Sequence, residues 1–154
     1  MKRVQTICLL FVVLIAMTGQ AAFAARQGKD SKKPSLYQRL GGSEMLGKIF
    51  DDLGPRMAAD PLLAKFFQGQ SPEALTAQRN NTVEFLCQAS GGPCHHKGKT
   101  LKQAHGVLHI SGDQWKAFMK HLTETLDHLK VADKEKRDFI AMVSRFRSDV
   151  VEKK

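Results

Sequence analysis

From Ser35 onward, apolar residues recur at helical spacing almost to the end of the chain. Ser35 is placed to cap a short helix carrying Leu36, Tyr37 and Leu40, with Gly41-Gly42 as its stop. Ser43 then opens a second helix, in which Met45, Leu46, Ile49, Phe50 and Leu53 share one face. Gly54-Pro55 falls inside that pattern, and proline removes a backbone donor and crowds the preceding turn, so a kink or a break is expected there. Asp60-Pro61 begins a short turn ending at Phe66-Phe67. Ser71-Pro72-Glu73 is a helix start, with a capping serine and a proline in the first turn. That helix runs through Leu75, Thr82, Phe85, Leu86 and Ala89 to a stop at Gly91-Gly92-Pro93. Residues 93–100 read as irregular, and Leu101 to Val107 as one or two turns. Ser111 caps an amphipathic helix bearing Trp115, Phe118, Met119, Leu122, Leu126 and Leu129. Asp133 begins a last helix that turns Ile140, Val143, Phe146 and Val150 inward. No stretch alternates with period two for long enough to propose a sheet. The pattern therefore predicts an all-α domain, built as two antiparallel helix pairs that cross one another.

The first 24 residues stand apart from this pattern. Met1-Lys2-Arg3 gives a positive start, Ile7 to Met17 is almost wholly apolar, and Ala22-Phe23-Ala24 offers small residues where a signal peptidase reads. Residues 1–24 are thus expected to be a signal peptide cleaved after Ala24, with an uncleaved membrane anchor as the alternative. Both place the folded part outside the cytoplasm, most simply in the periplasm. Residues 25–34 are polar and charged and read as a flexible lead-in, leaving 35–152 as the domain. The formal charge is +9, and removing Lys2 and Arg3 with the leader lowers it to +7. The lysines are scattered and no basic run carries interleaved aromatics, so a nucleic-acid partner is not expected.

Cys87 and Cys94 are the two cysteines beyond the leader, separated by a Gly91-Gly92-Pro93 turn. In an oxidising compartment they can form a disulfide or remain as two thiols, and the spacing excludes Cys-x-x-Cys and covalent-haem motifs. Nothing resembles a strained nucleophile turn, and adjacent Cys94-His95 would point apart rather than pair. The histidines number six: His95, His96, His105, His109, His121 and His128. His105 and His109, at i and i+4, would share a helical face, but the glutamate of a zinc-hydrolase motif is missing. Phenylalanines at 50, 66, 67, 85, 118 and 146 would either pack a small core or wall a flat apolar slot over one imidazole. The pattern alone does not choose between these.

Four segments in order carry a resemblance that does choose. Leu36-Tyr37-Gln38-Arg39-Leu40-Gly41-Gly42, Ala59-Asp60-Pro61 with Phe66-Phe67, Glu84 to Pro93, and Leu101 to Ile110 together resemble the group I truncated haemoglobins. The likeness spans about Leu36 to Val150. It implies the two-over-two helical sandwich of truncated globins and a haem b cofactor. By the same resemblance His105 is the metal ligand, its second ring nitrogen held by a hydrogen bond. Phe67, Phe85, Leu101, Gln78 and Thr82 are the further cofactor-side residues it implies. One departure stands out. Where the family carries a tyrosine that hydrogen-bonds the gas, this chain has Gly54, and Gln78 and Thr82 are the polar positions left to replace it. His109 also stands where a glycine is usual. The function implied is reversible binding of dioxygen, with nitric oxide and carbon monoxide as other diatomic ligands and a reductant of unknown identity. The alternative is a haem enzyme that detoxifies nitric oxide or peroxide, for which only Arg79 is near as a distal cation.

Overall fold

The computed structural model describes residues 33–152, so the expected signal peptide and most of the lead-in lie outside the described residues. All regular structure among the described residues is helical: α1 (Leu36–Leu40), α2 (Gly42–Ala59), a 3-10 turn (Ala64–Phe66), α3 (Pro72–Ala89), α4 (Leu101–His105), α5 (Gly112–His128), α6 (Asp133–Ser144) and α7 (Arg147–Val150). No helix among them is long and apolar enough to cross a membrane.

Side-chain caps set most of the helix starts. Ser35 and Ser111 accept from the backbone of Gln38 and Gln114, whose side chains reach back to the cap, and Ser71 accepts from Ala74. Ser43, expected to open α2, lies in its first turn. The helix begins one residue earlier behind Gly41, which takes a left-handed conformation (φ 100°) that a side chain would resist. Ser43 instead lies 3.0 Å from the Tyr37 hydroxyl, tying α1 to α2.

α2 packs against both α3 and α5, α5 against α6, and α1 against α2 and α6. The core lies where these layers meet. Leu46, Ile49 and Leu53 from α2 pack with Leu122 and Leu126 from α5, Phe139 and Val143 from α6, and Cys87 from α3. Burying each large aliphatic or aromatic side chain contributes about 1.5–3 kcal/mol, so this cluster rather than helix propensity holds the domain together.

Of the kink or break expected at Gly54-Pro55, the break does not occur. α2 runs unbroken through Gly54-Pro55 to Ala59. The proline ring normally clashes with the Cβ of the residue before it, and Gly54 has none, so the helix loses one hydrogen bond without being forced out of helical dihedrals. The last helix, in contrast, is interrupted. Arg145 and Phe146 donate to the carbonyls three residues back, on Met142 and Val143, and a short α7 follows. The inward face of α6 holds Val143, buried as expected, and adds Phe139. Phe139 is fully buried, whereas Ile140, Phe146 and Val150 are half-buried.

Candidate functional site

The site is best built outward from His105, the last residue of α4. Thr100 caps this short helix and forms a reciprocal capping box with Gln103. The box holds a helix of barely more than one turn, which could not persist alone in water. His105 is half-buried, and its Nδ1 lies 2.9 Å from the Leu101 carbonyl. A carbonyl oxygen can only accept, so Nδ1 carries the proton and Nε2 presents a lone pair. That is the tautomer and orientation a metal-ligating imidazole requires, with the second nitrogen fixed by a backbone carbonyl. No partner is present for Nε2 among the described residues.

His109 does not share a helical face with His105. α4 ends at His105, Gly106 donates to the Lys102 carbonyl, and His109 itself has a left-handed backbone (φ 48°). Its Nδ1 is 2.8 Å from the Glu152 carboxylate, which anchors the proximal loop to the far end of the domain. A cleft of about 380 Å³ opens between α4 and α7, bordered by Lys102, His105, His109, Val150 and Glu152. None of Phe67, Phe85, Leu101, Gln78 and Thr82 borders that cleft. Among the described residues no three His, Cys, Asp or Glu side chains converge as a metal cage would need. An iron held here therefore needs the remaining donors from a macrocycle, which suits a single imidazole.

The remaining sequence-nominated residues occupy two other places. Phe85 is half-buried on α3, edge-on to His96 (5.6 Å between rings) and Phe146 (5.2 Å). Phe67 is half-buried directly after the 3-10 turn, and Leu101 is half-buried as well, its carbonyl being the one that orients His105. On α3, Gln78 is exposed and Thr82 half-buried. The Thr82 hydroxyl donates to the Gln78 carbonyl at 2.9 Å, so its proton is already committed. The Gln78 amide is the uncommitted donor of the two. The position expected to bear tyrosine, Gly54, faces open space: a Cβ there would meet no atom within 4 Å. Tyr37, the one tyrosine in the chain, bonds Ser43 at the other end of α2.

Two features that tie α2 to its neighbours were not legible in the sequence. Asp52 accepts from Arg56 (2.6 Å), from the fully buried Thr125 hydroxyl (2.8 Å) and from His128 (2.7 Å). The Arg56 hydrogen bond, aided by those from Thr125 and His128, holds the Asp52 carboxyl down at about 2. Arg79 of α3 donates to both carboxylate oxygens of Asp51, which that contact keeps below the usual carboxylate range. Cys87 and Cys94, left open by the sequence, are joined as a disulfide that fastens the end of α3 to the strand of chain leading into α4.

The bacterial-like globin family profile matches residues 35–152. A group 1 truncated haemoglobin of Chlamydomonas moewusii is 32% identical over 140 residues, 88% of this chain and 80% of that protein. The group 1 truncated haemoglobin GlbN of Nostoc sp. is 29% identical over 119 residues, 77% of this chain and 98% of that protein. The truncated haemoglobin of Tetrahymena pyriformis in its Fe(III) form superposes with a TM-score of 0.71 at 25% identity, covering 78% of this chain and all of that one. The helical order, the capped histidine helix and these likenesses agree, and the chain belongs to the bacterial-like globins, in the group 1 truncated haemoglobin branch.

Proposed function

We propose that the chain holds haem b through His105 Nε2 and reversibly binds dioxygen, or another diatomic gas, on the opposite face of the macrocycle. The observation that carries this reading is the Nδ1–H of His105 held on the Leu101 carbonyl, which leaves Nε2 with its lone pair. The group 1 truncated haemoglobins that the chain resembles support the same cofactor. When bound, the haem supplies an iron centre with one open coordination position for a gas. Phe67, Phe85 and Leu101 are the apolar walls in this reading, and Gln78 is the donor to the gas in place of the missing tyrosine. Thr82 shares the helix face of Gln78 but does not donate to the gas, since its own proton is engaged by the Gln78 main-chain carbonyl.

A peroxide-consuming enzyme needs a free distal acid–base pair or cation. Arg79, the nearest candidate, is held by Asp51, which favours ligand binding over that alternative. Export to the periplasm belongs to the same proposal and draws support from the Cys87–Cys94 disulfide, because such bonds persist in oxidising compartments.

The test is the visible spectrum of the purified full chain in ferric, ferrous and carbon-monoxide forms, beside His105→Ala. The reading expects a haem band whose ferrous form changes with carbon monoxide. In His105→Ala the band should be lost, or its coordination changed and restored by added imidazole. Identical haem content and spectra in the two proteins would overturn it.

A further inference from the structure

α2 meets Arg79 of α3 at Gly47 and Asp51, and Gly54 follows on the same face, the three spaced i, i+4 and i+7. Glycine inside a helix costs about 1 kcal/mol relative to alanine, so a buried one calls for a reason. At Gly47 the reason is Arg79: a Cβ there would lie 2.8 Å from the guanidinium Nη2. The guanidinium lies across the bare backbone of Gly47 and forks onto both oxygens of Asp51. One turn further along α2, Gly54 leaves open space at the level where the family places its distal tyrosine.

On α3 the same residue sits at a boundary. Every residue from Ser71 to Gln78 is exposed, including Leu75 at 39%, whereas from Thr82 to Cys87 the helix is at least half-buried. The first half of α3 therefore has almost no apolar packing to fix its rotation or its distance from α2. Gln78 and Thr82 flank Arg79 and lie on one side of it, within about 100° around the helix axis. Whatever fixes Arg79 fixes the direction in which Gln78 points.

We infer that the Arg79–Asp51 pair, seated on Gly47, is a positioning device that holds the exposed half of α3 so that Gln78 faces the gas-binding side. The inference rests on the haem reading above for its consequence, though not for the pair itself. An exposed ion pair adds little to global stability, typically about 0–1 kcal/mol. Its effect is on the setting of one donor. Losing a neutral hydrogen bond of about 1 kcal/mol corresponds to about a fivefold faster gas release.

The experiment compares wild type, Arg79→Met, Arg79→Lys and Asp51→Asn. Stopped-flow dioxygen dissociation is measured on the haem-loaded proteins, and amide hydrogen exchange over residues 72–79 on the haem-free ones. Arg79→Met and Asp51→Asn should each release dioxygen up to about fivefold faster. Both should lose exchange protection in 72–79 while the melting temperature stays close to that of wild type, and Arg79→Lys should fall between. Unchanged release with unchanged protection overturns the inference. So does a lowered melting temperature with unchanged release, which would make the pair a purely structural tie. A wild type that takes up no haem would sink the functional reading instead, and the exchange data would still decide whether the pair orders α3.

Discussion

Reducing the Cys87–Cys94 bridge offers a test whose size follows from the loop it closes. With a separation of 7 the bond encloses about eight residues, and the chain-entropy relation gives roughly 8 cal/mol/K, or about 2.5 kcal/mol at 25 °C. For a domain of this length that is about 10 °C in melting temperature. Cys94→Ser is the cleaner substitution, because Cys94 is only half-buried while Cys87 is fully buried in the core. A serine at 87 would add the cost of a hydroxyl in an apolar site, confounding the comparison. The assay is urea unfolding of wild type with and without reductant, beside Cys94→Ser, with thiol counting by intact mass. The reduced wild type and Cys94→Ser should agree, both falling about 2.5 kcal/mol below the oxidised protein. If confirmed reduction moves stability by less than about 0.5 kcal/mol, the bridge does not constrain the unfolded chain as argued. The bridge also fastens the segment that leads into α4, so in the haem reading proposed above reduction should speed haem loss.

Three further outcomes are expected. Gly54→Tyr, placed in open space on α2, should slow dioxygen release about fivefold and Gln78→Leu should speed it by a similar factor; stopped-flow rates equal to wild type in both would remove these residues from the gas site. The folded-state value of Asp52 is depressed to about 2, so its contribution to stability is complete above the ordinary carboxylate range near pH 4 and is lost as the pH falls toward 2; Asp52→Asn should flatten that limb of the urea-midpoint profile, and an unchanged profile would refute the network's role. Phe139→Ala should destabilise by about 3–5 kcal/mol and Ile140→Ala clearly less, by chemical denaturation, because only Phe139 is fully enclosed.

What the sequence disclosed follows the range of the forces involved. Caps act over three residues, so Ser35, Ser71 and Ser111 were readable as helix starts, and Thr100 with Gln103 carried the same signal unread. The inward face of α6 was legible at Val143, while Phe139, next to the expected Ile140, is the residue enclosed completely. The helix continues through Pro55 without the break that was one of the two expectations, and the relief offered by a preceding glycine is a local steric detail. The Asp52–Thr125, Arg79–Asp51 and His109–Glu152 contacts join residues 73, 28 and 43 positions apart. No local pattern announces such pairs. His105 was singled out by family likeness, and what the structure adds is the state of its ring.

The helix bearing His105 is only five residues long and cannot keep itself folded alone. Its main packing partner is α7, and beyond Gly106 the chain is pinned by the Ile110–Val151 bridge, which includes the Glu152 amide on the Ile110 carbonyl, and by the His109–Glu152 contact. α4 and α7 thus form a small cooperative unit that can open while the α2–α5–α6 core stays closed. In the haem reading proposed above, such an opening is the route by which the cofactor would enter or leave. On that reading the lifetime of the cofactor is set less by the strength of the core than by the hold of one carboxylate and one backbone bridge at the edge of the domain.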